Sequence, residues 1–352
     1  MALVSLLTAV RDGETHLAET IAGVLAQTHA PLEWLVWDDG SSDRTVELLE
    51  AARAALAERS CKLVLAGSPA GSPARGCGYG RNRAVELASP ASQLFVVLDG
   101  DDVCAPERCE ALLSASRAST PLTLLGSRYW REGGGRPRDL AWHNGMSQAQ
   151  LVSQRLRETT LAIPTWAFTR ELFDSVGGFA EAAPNEAEDL LFFYAHLRRG
   201  GALHRCDGEL LMYRHTEGGV CALRSVPAAL IFAIRVAELE AVLATPPWCD
   251  GFSIWNAGKE GKRVYRALCR KSQAAVRCFA DVDVSKLKRA LFDDAAFTGR
   301  RIPIRHFSDA PPPLLLCVKA GGLAGEVGAE GSFEANLASL ELQEGTEYLH
   351  FA

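Results

Sequence analysis

The sequence predicts an α/β protein built from two successive modules. Strand-like and helix-like segments alternate through the first 130 residues with short connections, as in the βαβ units of a mainly parallel sheet. Four apolar runs there are expected to be strands: Leu3–Thr8, Glu33–Trp37, Lys62–Ala66 and Leu94–Leu98. A second alternation of the same kind begins near Cys249. The alternation of strands and helices predicts the α/β class, and its second start near Cys249 predicts a second module.

The helices of the first module follow from the spacing of apolar side chains. These side chains recur at helical spacing over 17–25 and again over 46–56, after the first and second strands. Pro106 suits the first turn of a helix after the fourth strand, because that position needs no backbone N–H. The segment Gly67–Gly80 is rich in Gly, Ser and Pro and is expected to be a loop. Such loops at strand ends are where α/β proteins bind ligands.

The second module begins with a short predicted strand, Phe252–Trp255, and the turn Asn256–Gly261. This turn resembles a degenerate dinucleotide-binding fingerprint, although a structural or recognition module without a cofactor is the favoured interpretation. Later strands are predicted at Val276–Ala280, Ile302–Ile304 and Leu314–Val318. We assign residues 1–224 to the first domain, 225–248 to a bridging helix or linker, and 249–352 to a small C-terminal Rossmann-like α/β module.

The composition is that of a globular protein. Of the 352 residues, 48% are hydrophobic and 23% are charged, which excludes wholesale disorder and fibrous repeats. The best candidate for a membrane span, Ser225–Ala244, contains Arg235, Glu238 and Glu240 and therefore predicts a buried or amphipathic helix. The first residues, Met1–Val10, lack the basic start of a secretory signal.

The ten cysteines include no Cys-x-x-Cys pair. This spacing argues against a zinc site and favours reduced, mostly buried thiols. Together with the missing signal and anchor, it predicts a cytoplasmic protein with no membrane partner. The sequence leaves the oligomeric state open.

Three carboxylates lie within four residues after the fourth strand: Asp99, Asp101 and Asp102. Like charges this close repel one another and raise each other's pKa, so the cluster needs a positive counter-charge. A divalent cation bound to a diphosphate supplies one, and hard oxygen ligands suit Mg²⁺ or Mn²⁺. The structural alternative is a turn in which Asp102 caps the helix after Pro106.

Two further acidic pairs stand where a binding site would form. Asp38 and Asp39 end the second strand, where a carboxylate can accept a hydrogen bond from a base or a ribose hydroxyl. A turn with Asp or Ser caps is an equal alternative. Glu188 and Asp189 are adjacent in a helical segment, so they point in different directions and only one of them is expected to face a bound substrate. The alternative interpretation of this pair is a structural one, in which two acidic residues in the first turn of a helix are favoured by the helix dipole.

These motifs, in this order, resemble the inverting family 2 glycosyltransferases, which use nucleotide-diphosphosugars and have the fold called GT-A. The resemblance covers about the first 220 residues. The matching segments are the opening strand Val4–Thr8, QTHAPLEWLVWDDGSSD (Gln27–Asp43), GYGRNRAVELA (Gly78–Ala88), LDGDD with Pro106 following, GGF (Gly177–Phe179), EAEDLLFFYAHLRRG (Glu186–Gly200) and YRHTEGGV (Tyr213–Val220). One departure is Val10-Arg11-Asp12, where the family more often has an aromatic-Asn pair.

The resemblance implies a metal-dependent transferase with a UDP-sugar donor and Mn²⁺ or Mg²⁺ as cofactor. It implies nucleotide-sugar binding by Ala9, Asp39, Arg81, Asp99 and Arg214, metal binding by Asp101 and His215, and a catalytic base at Asp189 with Glu188 beside it. Asn82 lies with Arg81 in the segment expected to pack against the nucleotide.

The second module is locally basic in an acidic chain. Residues 259–289 contain ten basic and three acidic side chains, a net charge of +7, whereas the whole chain has a formal net charge of −6. We expect an RNA-binding surface at Lys262, Arg263, Arg266 and Arg270, of which three share one helical face by i,i+4 spacing. A solvated helix face is the equal alternative.

The pattern of the whole chain, including Ile254–Leu268 and Gly331–Phe351, is similar to a tRNA-modifying branch of that family. This resemblance implies UDP-galactose as the donor and queuosine in a tRNA anticodon as the acceptor. One alternative is an N-acetylglucosaminyltransferase that uses UDP-GlcNAc on β-galactose glycans, which needs access to the secretory lumen. Another is a non-catalytic nucleotide- or RNA-binding protein on a transferase fold, against which the intact Asp99, Asp101 and Asp189 argue.

Overall fold

The chain divides into two compact units. The computed structural model describes residues 2–132, 137–182, 186–214, 226–318 and 331–351. Unit 1 comprises Met1–Leu151 and Thr159–Pro227, and unit 2 comprises Val152–Glu158 and Ala228–Ala352.

Unit 1 is an α/β layer structure. Its elements, in chain order, are β1 (Leu3–Val10), α1 (Leu17–Leu25), β2 (Leu32–Asp38), α2 (Thr45–Glu58), β3 (Cys61–Gly67), α3 (Cys77–Glu86), β4 (Ser92–Val97), β5 (Val103–Cys104), α4 (Arg108–Arg117), β6 (Thr123–Glu132), α5 (Pro137–Gly145), α6 (Gln150–Ser153), β7 (Ala167–Phe168), α7 (Arg170–Val176), α8 (Glu188–Arg198) and β8 (Ala202–Arg214). The predicted loop Gly67–Gly80 is shorter than expected, because α3 already begins at Cys77.

The strands of unit 1 form one mixed sheet in the order β3-β2-β1-β4-β7-β6-β8-β5. Strand β1 pairs in parallel with β2 and β4, and β2 pairs in parallel with β3. The predicted fold class is confirmed for this unit. Because these strands run in one direction, the loops after β1, β2 and β4 leave the sheet at the same edge.

The core of unit 1 explains why its strands are almost continuously apolar. Leu6 and Leu7 are consecutive on β1, so their side chains point to opposite faces of the sheet, and both are fully buried. A parallel sheet covered on both faces requires this pattern. The buried Trp34 indole donates a hydrogen bond of 2.8 Å to the Oγ1 atom of Thr8, which joins β2 to β1.

Unit 2 contains a second, smaller α/β sheet. Its elements are α9 (Ala228–Leu243), β9 (Phe252–Trp255), α10 (Lys259–Ala267), α11 (Arg270–Ala275), β10 (Val276–Asp281), α12 (Val284–Leu287), β11 (Leu291–Asp294), β12 (Arg300–His306), β13 (Leu314–Leu316), α13 (Phe333–Ala338) and β14 (Tyr348–His350). The strand order is β11-β12-β10-β9-β13-β14, with β11 antiparallel to β12 and the other pairs parallel. The predicted second α/β module is therefore present.

The helix predicted as a bridge between domains belongs to unit 2. Leu239 and Leu243 of α9 are buried in the same apolar cluster as Phe252, Ile254 and other residues of that unit. The main segment of unit 2 thus begins at Ala228, ahead of the predicted start at residue 249, and Val152–Glu158 also belongs to this unit. The apolar spacing of the helix was visible in the sequence, but the surface that it covers was not.

Within the described ranges, no helix combines the length and the apolar character needed to cross a membrane. The nine cysteines in those ranges are free thiols.

His350, at the end of β14, is expected to make stability depend on pH. Its side chain is buried, and burial lowers its pKa to about 4, although Glu344 opposes this shift. An unfolded histidine takes up a proton near pH 6.5, so between about pH 6.5 and pH 4 the unfolded state binds more protons and stability falls as pH decreases. We expect the free energy of unfolding to be about 2 kcal/mol lower at pH 5 than at pH 7 through this group. Urea unfolding of wild type and His350→Gln at both pH values measures it; an equal decrease in the variant would contradict this assignment.

Candidate functional site

The candidate site lies at the edge of the unit 1 sheet where β1, β2 and β4 end. Asp39 directly follows β2, and Asp99 follows β4 after one intervening residue. Helix α3 starts near the same edge, because the backbone N–H of Gly76, its N-cap residue, donates to Asp39. Gly76 has a φ of 95°, a conformation that favours glycine.

Asp39 is buried, and only one of its two carboxylate oxygens accepts hydrogen bonds from the described residues. Its Oδ2 atom accepts hydrogen bonds from the backbone N–H groups of Arg75 (2.8 Å) and Gly76 (3.0 Å). Its Oδ1 atom is buried and has no hydrogen-bond partner among the described residues. Asp38, by contrast, accepts the backbone N–H of Ser41 at 3.1 Å and belongs to the turn itself. Asp39 therefore presents one acceptor oxygen that a ligand N–H can use, since a buried unpaired acceptor is costly.

The backbone beside Asp39 is held by close packing and by an arginine. A Cβ atom added to Gly80 of α3 would lie 2.6 Å from the Cβ atom of Ala9, so a glycine is needed for α3 to lie against β1. The Nη1 atom of Arg11 donates to the backbone carbonyls of Asp39 and Ser72. Arg11 is part of the departure from the family pattern, and here it ties together the loops after β1, β2 and β3.

Arg81 of α3 joins the two carboxylate groups of the site. Its side chain is 3% exposed, and its Nη2 and Nη1 atoms contact Asp99 Oδ1 at 2.8 Å and Glu188 Oε1 at 2.9 Å. Burial lowers the pKa of Arg81, but the charges of Asp99, Cys77 and Glu188 outweigh burial and raise it. The guanidinium therefore remains charged and fixes the end of β4 relative to the start of α8.

The acidic cluster after β4 carries more negative charge than this arginine neutralises. Burial and the charge of Asp99 raise the pKa of Asp101. Burial and both neighbouring carboxylates raise the pKa of Asp102, whose Oδ2 atom is buried without a hydrogen-bond partner in the described structure. Asp102 does not cap the following helix: α4 begins at Arg108, and the Oδ1 atom of Asp102 accepts the backbone N–H of Arg214 at 2.9 Å.

Arg214, at the end of β8, lies beside the acidic cluster. Its Nε atom donates to the backbone carbonyl of Asp101 at 3.0 Å. Its Nη2 and Nη1 atoms form ion pairs with Glu19 at 2.6 Å and Glu132 at 3.3 Å. Arg214 therefore lies beside Asp101, and its role in binding the diphosphate stays a prediction. The second predicted metal ligand, His215, lies outside the described residues.

Glu188 and Asp189 occupy the first turn of α8 and have different partners. Glu188 pairs with Arg81; burial raises the pKa of Glu188, Arg81 lowers it and Asp189 raises it. Asp189 is partly exposed, and its Oδ1 atom accepts the backbone N–H of Leu190 at 2.7 Å. The ion pair with Arg81 thus fixes the Glu188 side chain within the protein.

Asn82, which was expected to pack against the nucleotide beside Arg81, and two aromatic rings that were not predicted make contacts within the protein at this edge. Asn82 donates to the backbone carbonyl of Phe179 at 2.8 Å and accepts the Phe179 N–H at 2.9 Å, so it holds the loop before α8. Tyr79 lies edge-on to Trp37, with ring centroids 5.8 Å apart, and the Arg75 guanidinium lies 4.0 Å from its ring centre. These rings flank the loop that binds Asp39, and the only sequence signal was the aromatic position next to Gly80.

The donor set suits a metal that also binds a substrate phosphate. Among the described residues, no group of three or more His, Cys, Asp and Glu side chains is arranged to hold a metal ion. Magnesium and similar cations are commonly held by one or two carboxylates, with substrate phosphates and waters completing the shell. The buried excess of negative charge at Asp101 and Asp102, including the unpaired Asp102 Oδ2, fits a cation of this kind.

The basic segment of unit 2 differs from its predicted geometry. The prediction that Lys262, Arg266 and Arg270 share one helical face is wrong for Arg270. Helix α10 ends at Ala267, and Arg270 is the first residue of α11. Leu268, the residue after α10, has an extended backbone conformation, so the helix does not continue to Arg270. The side chain of Leu268 is buried.

The remaining predicted cations of the segment each have an aromatic or acidic neighbour. The Lys262 Nζ atom lies 4.9 Å from the centre of the Phe292 ring, and the Arg263 guanidinium lies 3.8 Å from the centre of the Phe232 ring. Arg266 forms an ion pair of 2.7 Å with the buried Asp294.

The dinucleotide-like turn of unit 2 satisfies its own polar groups. The acid that would bind a ribose, Asp281, has an Oδ2 atom that accepts from the Ala257 N–H and the Lys286 Nζ atom, both at 2.9 Å. Its Oδ1 atom accepts two further backbone N–H groups. These bonds give the turn a structural role.

Comparisons with known proteins agree with the fold of unit 1. Residues 5–177 match the family model described as Glycosyl transferase family 2. Over these residues the chain is similar to the family 2 glycosyltransferases. The chain is 23% identical over 315 residues to the uncharacterized glycosyltransferase EpsJ of Bacillus subtilis, an alignment that covers 86% of each chain.

Solved structures show the same fold. The S. aureus TarS 1-349 structure in complex with UDP-GlcNAc has a TM-score of 0.53 and 18% identity, covering 76% of this chain and 70% of that one. The mannosyltransferase PcManGT from Pyrobaculum calidifontis, in complex with GDP-Man and Mn²⁺, has a TM-score of 0.51 and 17% identity, covering 77% and 73%. The expected GT-A fold is therefore confirmed, and the family match over residues 5–177 supports the expected glycosyltransferase class.

Proposed function

We propose that this glycosyltransferase moves galactose from UDP-galactose to queuosine in a tRNA anticodon, with inversion at the anomeric carbon. The observation that supports the proposal is the position of Asp39 and Asp99 after β2 and β4, which both pair in parallel with β1. Arg81 pairs there with Asp99, two residues before Asp101, and with Glu188, the neighbour of Asp189. Each of these residues lies in a segment that carries the resemblance to the nucleotide-sugar transferases. Because the acceptor is a tRNA, the proposal also places the protein in the cytoplasm.

In this proposal the nucleotide binds across the ends of β1 and β2. The unpaired Asp39 Oδ1 atom accepts the N3–H of uracil, while the Arg75 and Gly76 N–H groups hold the other oxygen in place. The backbone at Ala9 lines the same edge. Asp99, oriented by Arg81, faces the ribose or the sugar.

The diphosphate would lie between the acidic cluster and Arg214. Asp101, with His215, would hold Mn²⁺ or Mg²⁺, which when bound neutralises charge on the leaving diphosphate. The Arg214 guanidinium, placed beside the Asp101 carbonyl, adds positive charge on the same side.

The transfer step requires a base at the acceptor hydroxyl, and we assign that role to Asp189. Its carboxylate takes the hydroxyl proton as the acceptor oxygen forms a bond to the anomeric carbon. The bond from that carbon to the diphosphate oxygen breaks with its electron pair, so UDP leaves from the opposite face. Glu188, held by Arg81, positions the start of α8 for this step.

The acceptor assignment rests on the charge of unit 2 and on the resemblance of the whole chain. The net charge of +7 over 259–289 suits a polyanion, in contrast to the acidic remainder of the chain. A neutral glycan acceptor would not require such a segment. The expected RNA contacts include Lys262, Arg263, Arg266 and Arg270.

Incubation of the purified protein with tRNA and separate UDP-sugars, followed by nucleoside mass spectrometry, tests the proposal. We expect a hexose added to queuosine with UDP-galactose and Mn²⁺ or Mg²⁺, and no product with the Asp101→Ala variant. The addition of an N-acetylhexosamine from UDP-GlcNAc, or transfer only to β-galactose glycans, would overturn the donor or acceptor assignment. Binding of UDP and RNA without any transfer would favour a non-catalytic protein.

A further inference from the structure

One aromatic ring of unit 2 is unusually exposed for a protein of ordinary composition. Phe297, in the turn between β11 and β12, is 69% exposed, more than any other large apolar side chain in the described part of the chain. A single exposed apolar residue is common on protein surfaces and needs no explanation by itself. The groups that hold this ring and the charges around it distinguish it from such a residue.

The turn that carries Phe297 is fixed by hydrogen bonds and by two arginines. The backbone N–H of Phe297 donates to the Asp294 carbonyl at 3.0 Å. The Arg266 guanidinium lies 4.8 Å from the centre of the Phe297 ring, and the Arg270 Nη2 atom donates to the Phe297 carbonyl at 3.2 Å. Arg266 is itself held by the buried Asp294 carboxylate at 2.7 Å and 3.0 Å. These contacts hold the backbone at Phe297 and leave its ring exposed beside Arg266.

Positive charges lie along α10 beside the β11–β12 hairpin. The Lys262 Nζ atom and the Arg266 guanidinium lie 4.9 Å and 5.6 Å from the centre of the Phe292 ring. Burial and the positive charges of Arg289, Arg266 and Lys286 lower the pKa of Lys262, as expected for neighbouring cations. Acids of this region form ion pairs of their own: Asp294 with Arg266 at 2.7 Å, Asp281 with Lys286 at 2.9 Å and Glu260 with Arg263 at 3.6 Å. A surface of mutually repelling cations is stabilised by a bound polyanion.

An aromatic ring beside clustered cations matches the way proteins bind single-stranded nucleic acid. An unpaired base stacks on the ring, and the phosphates on either side contact the Lys and Arg side chains. A base inside a duplex is already stacked on its neighbours and cannot use the ring in this way. A protein partner would require a contiguous apolar patch, whereas here one ring is bordered by charged side chains.

We propose that Phe297, together with Lys262, Arg266, Arg270 and Arg289, forms an RNA-binding surface on which one unpaired base stacks. This inference rests on the proposed function in taking RNA as the ligand, and it adds a stacking residue that net charge alone does not indicate. Named the Phe297 surface, it lies entirely within unit 2.

The stacking role is tested by three substitutions at one position in the full-length protein. The probes are a stem-loop RNA with an unpaired loop and a fully paired RNA duplex, with Kd measured by fluorescence anisotropy. We expect Phe297→Ala and Phe297→Leu to weaken stem-loop binding about tenfold, Phe297→Trp to retain it, and duplex binding to change little. An unchanged Kd in Phe297→Ala, or an equal loss in Phe297→Trp, would overturn the inference. Because Phe297 is exposed, these variants are expected to fold.

The charge contribution is tested with a matched pair of arginines. Arg289→Ala removes a cation of the Phe297 surface, whereas Arg301→Ala removes one on the opposite face of the β11–β12 hairpin, where it pairs with Asp293 at 3.0 Å. We expect Arg289→Ala to reduce the slope of log Kd against log salt by about 0.7–0.9, and Arg301→Ala to leave it unchanged. Equal slopes in the two variants would remove Arg289 from the surface.

Sugar transfer separates this inference from the proposed function. If wild type adds hexose to tRNA and Phe297→Ala does so with unchanged KM for tRNA, the stacking inference fails while the proposed function stands. If wild type transfers no sugar to tRNA but loses stem-loop binding on Phe297→Ala, the inference stands and the acceptor assignment fails.

Discussion

Asp189→Asn is expected to lower kcat for sugar transfer about 10²–10⁴-fold while leaving the protein folded. Asn has nearly the same shape as Asp and retains an oxygen that can accept the Leu190 N–H, as Asp189 does at 2.7 Å. It cannot take the proton of the acceptor hydroxyl, so the effect falls on the chemical step. Steady-state kinetics and a thermal unfolding curve on the same sample measure both properties.

Two carboxylates in the same unit serve as controls for Asp189→Asn. Asp174→Asn changes an exposed residue of α7 and is expected to have no effect on kcat. Glu188→Gln weakens the contact with Arg81. We expect it to reduce activity less than Asp189→Asn, because Glu188 positions the start of α8 and does not take the proton. Full activity of Asp189→Asn, or a larger loss in Glu188→Gln, would transfer the role of base away from Asp189.

Arg81→Met is expected to destabilise unit 1 by about 3–5 kcal/mol, near the lower end of that range, and to abolish transfer. The substitution removes the guanidinium from two carboxylates, Asp99 and Glu188, whose side chains are 26% and 20% exposed. Partial exposure lets water and protonation relieve part of the cost. The free energy of unfolding in urea, with activity measured below the transition, quantifies the two effects.

The matched control for Arg81→Met is on the same helix. Arg83 pairs with Glu86 at 2.7 Å and with Glu181 at 3.2 Å, and its side chain is 30% exposed. Partly exposed pairs of this kind contribute about 0–1 kcal/mol, so Arg83→Met should have a small effect on stability. Similar losses in the two variants would mean that α3 is sensitive to any change, and not that Arg81 holds the site together.

Much of the fold and part of the site could be predicted from local sequence patterns. Apolar runs that end in Asp39 and Asp99 placed both residues at strand ends, and parallel strands in a βαβ arrangement bring such ends to one edge. The alternation restarting near Cys249 predicted the second α/β module. These inferences succeed because periodicity and strand termination are local properties of the chain.

Other features depend on contacts between residues distant in sequence. Arg81 was predicted to lie near the nucleotide by resemblance alone. In the structure its side chain pairs with Asp99 and with Glu188, which is more than a hundred residues away along the chain. The sequence left a helix cap open as the alternative role of Asp102, and only the position of Arg214 shows that Asp102 holds β8. The pKa shifts of this cluster likewise follow from burial, which no local pattern reports.

Periodicity and composition alone thus determined the α/β class, the acidic strand ends and the basic character of the second module. Tertiary structure decided which charges meet, that Arg270 leaves the face of α10, that α9 packs into unit 2, and that Phe297 stays exposed. The physical reason is that the free energy of a charge or an apolar side chain depends on the groups that surround it after folding. Those groups come from distant parts of the chain, so their identity follows only from the folded arrangement.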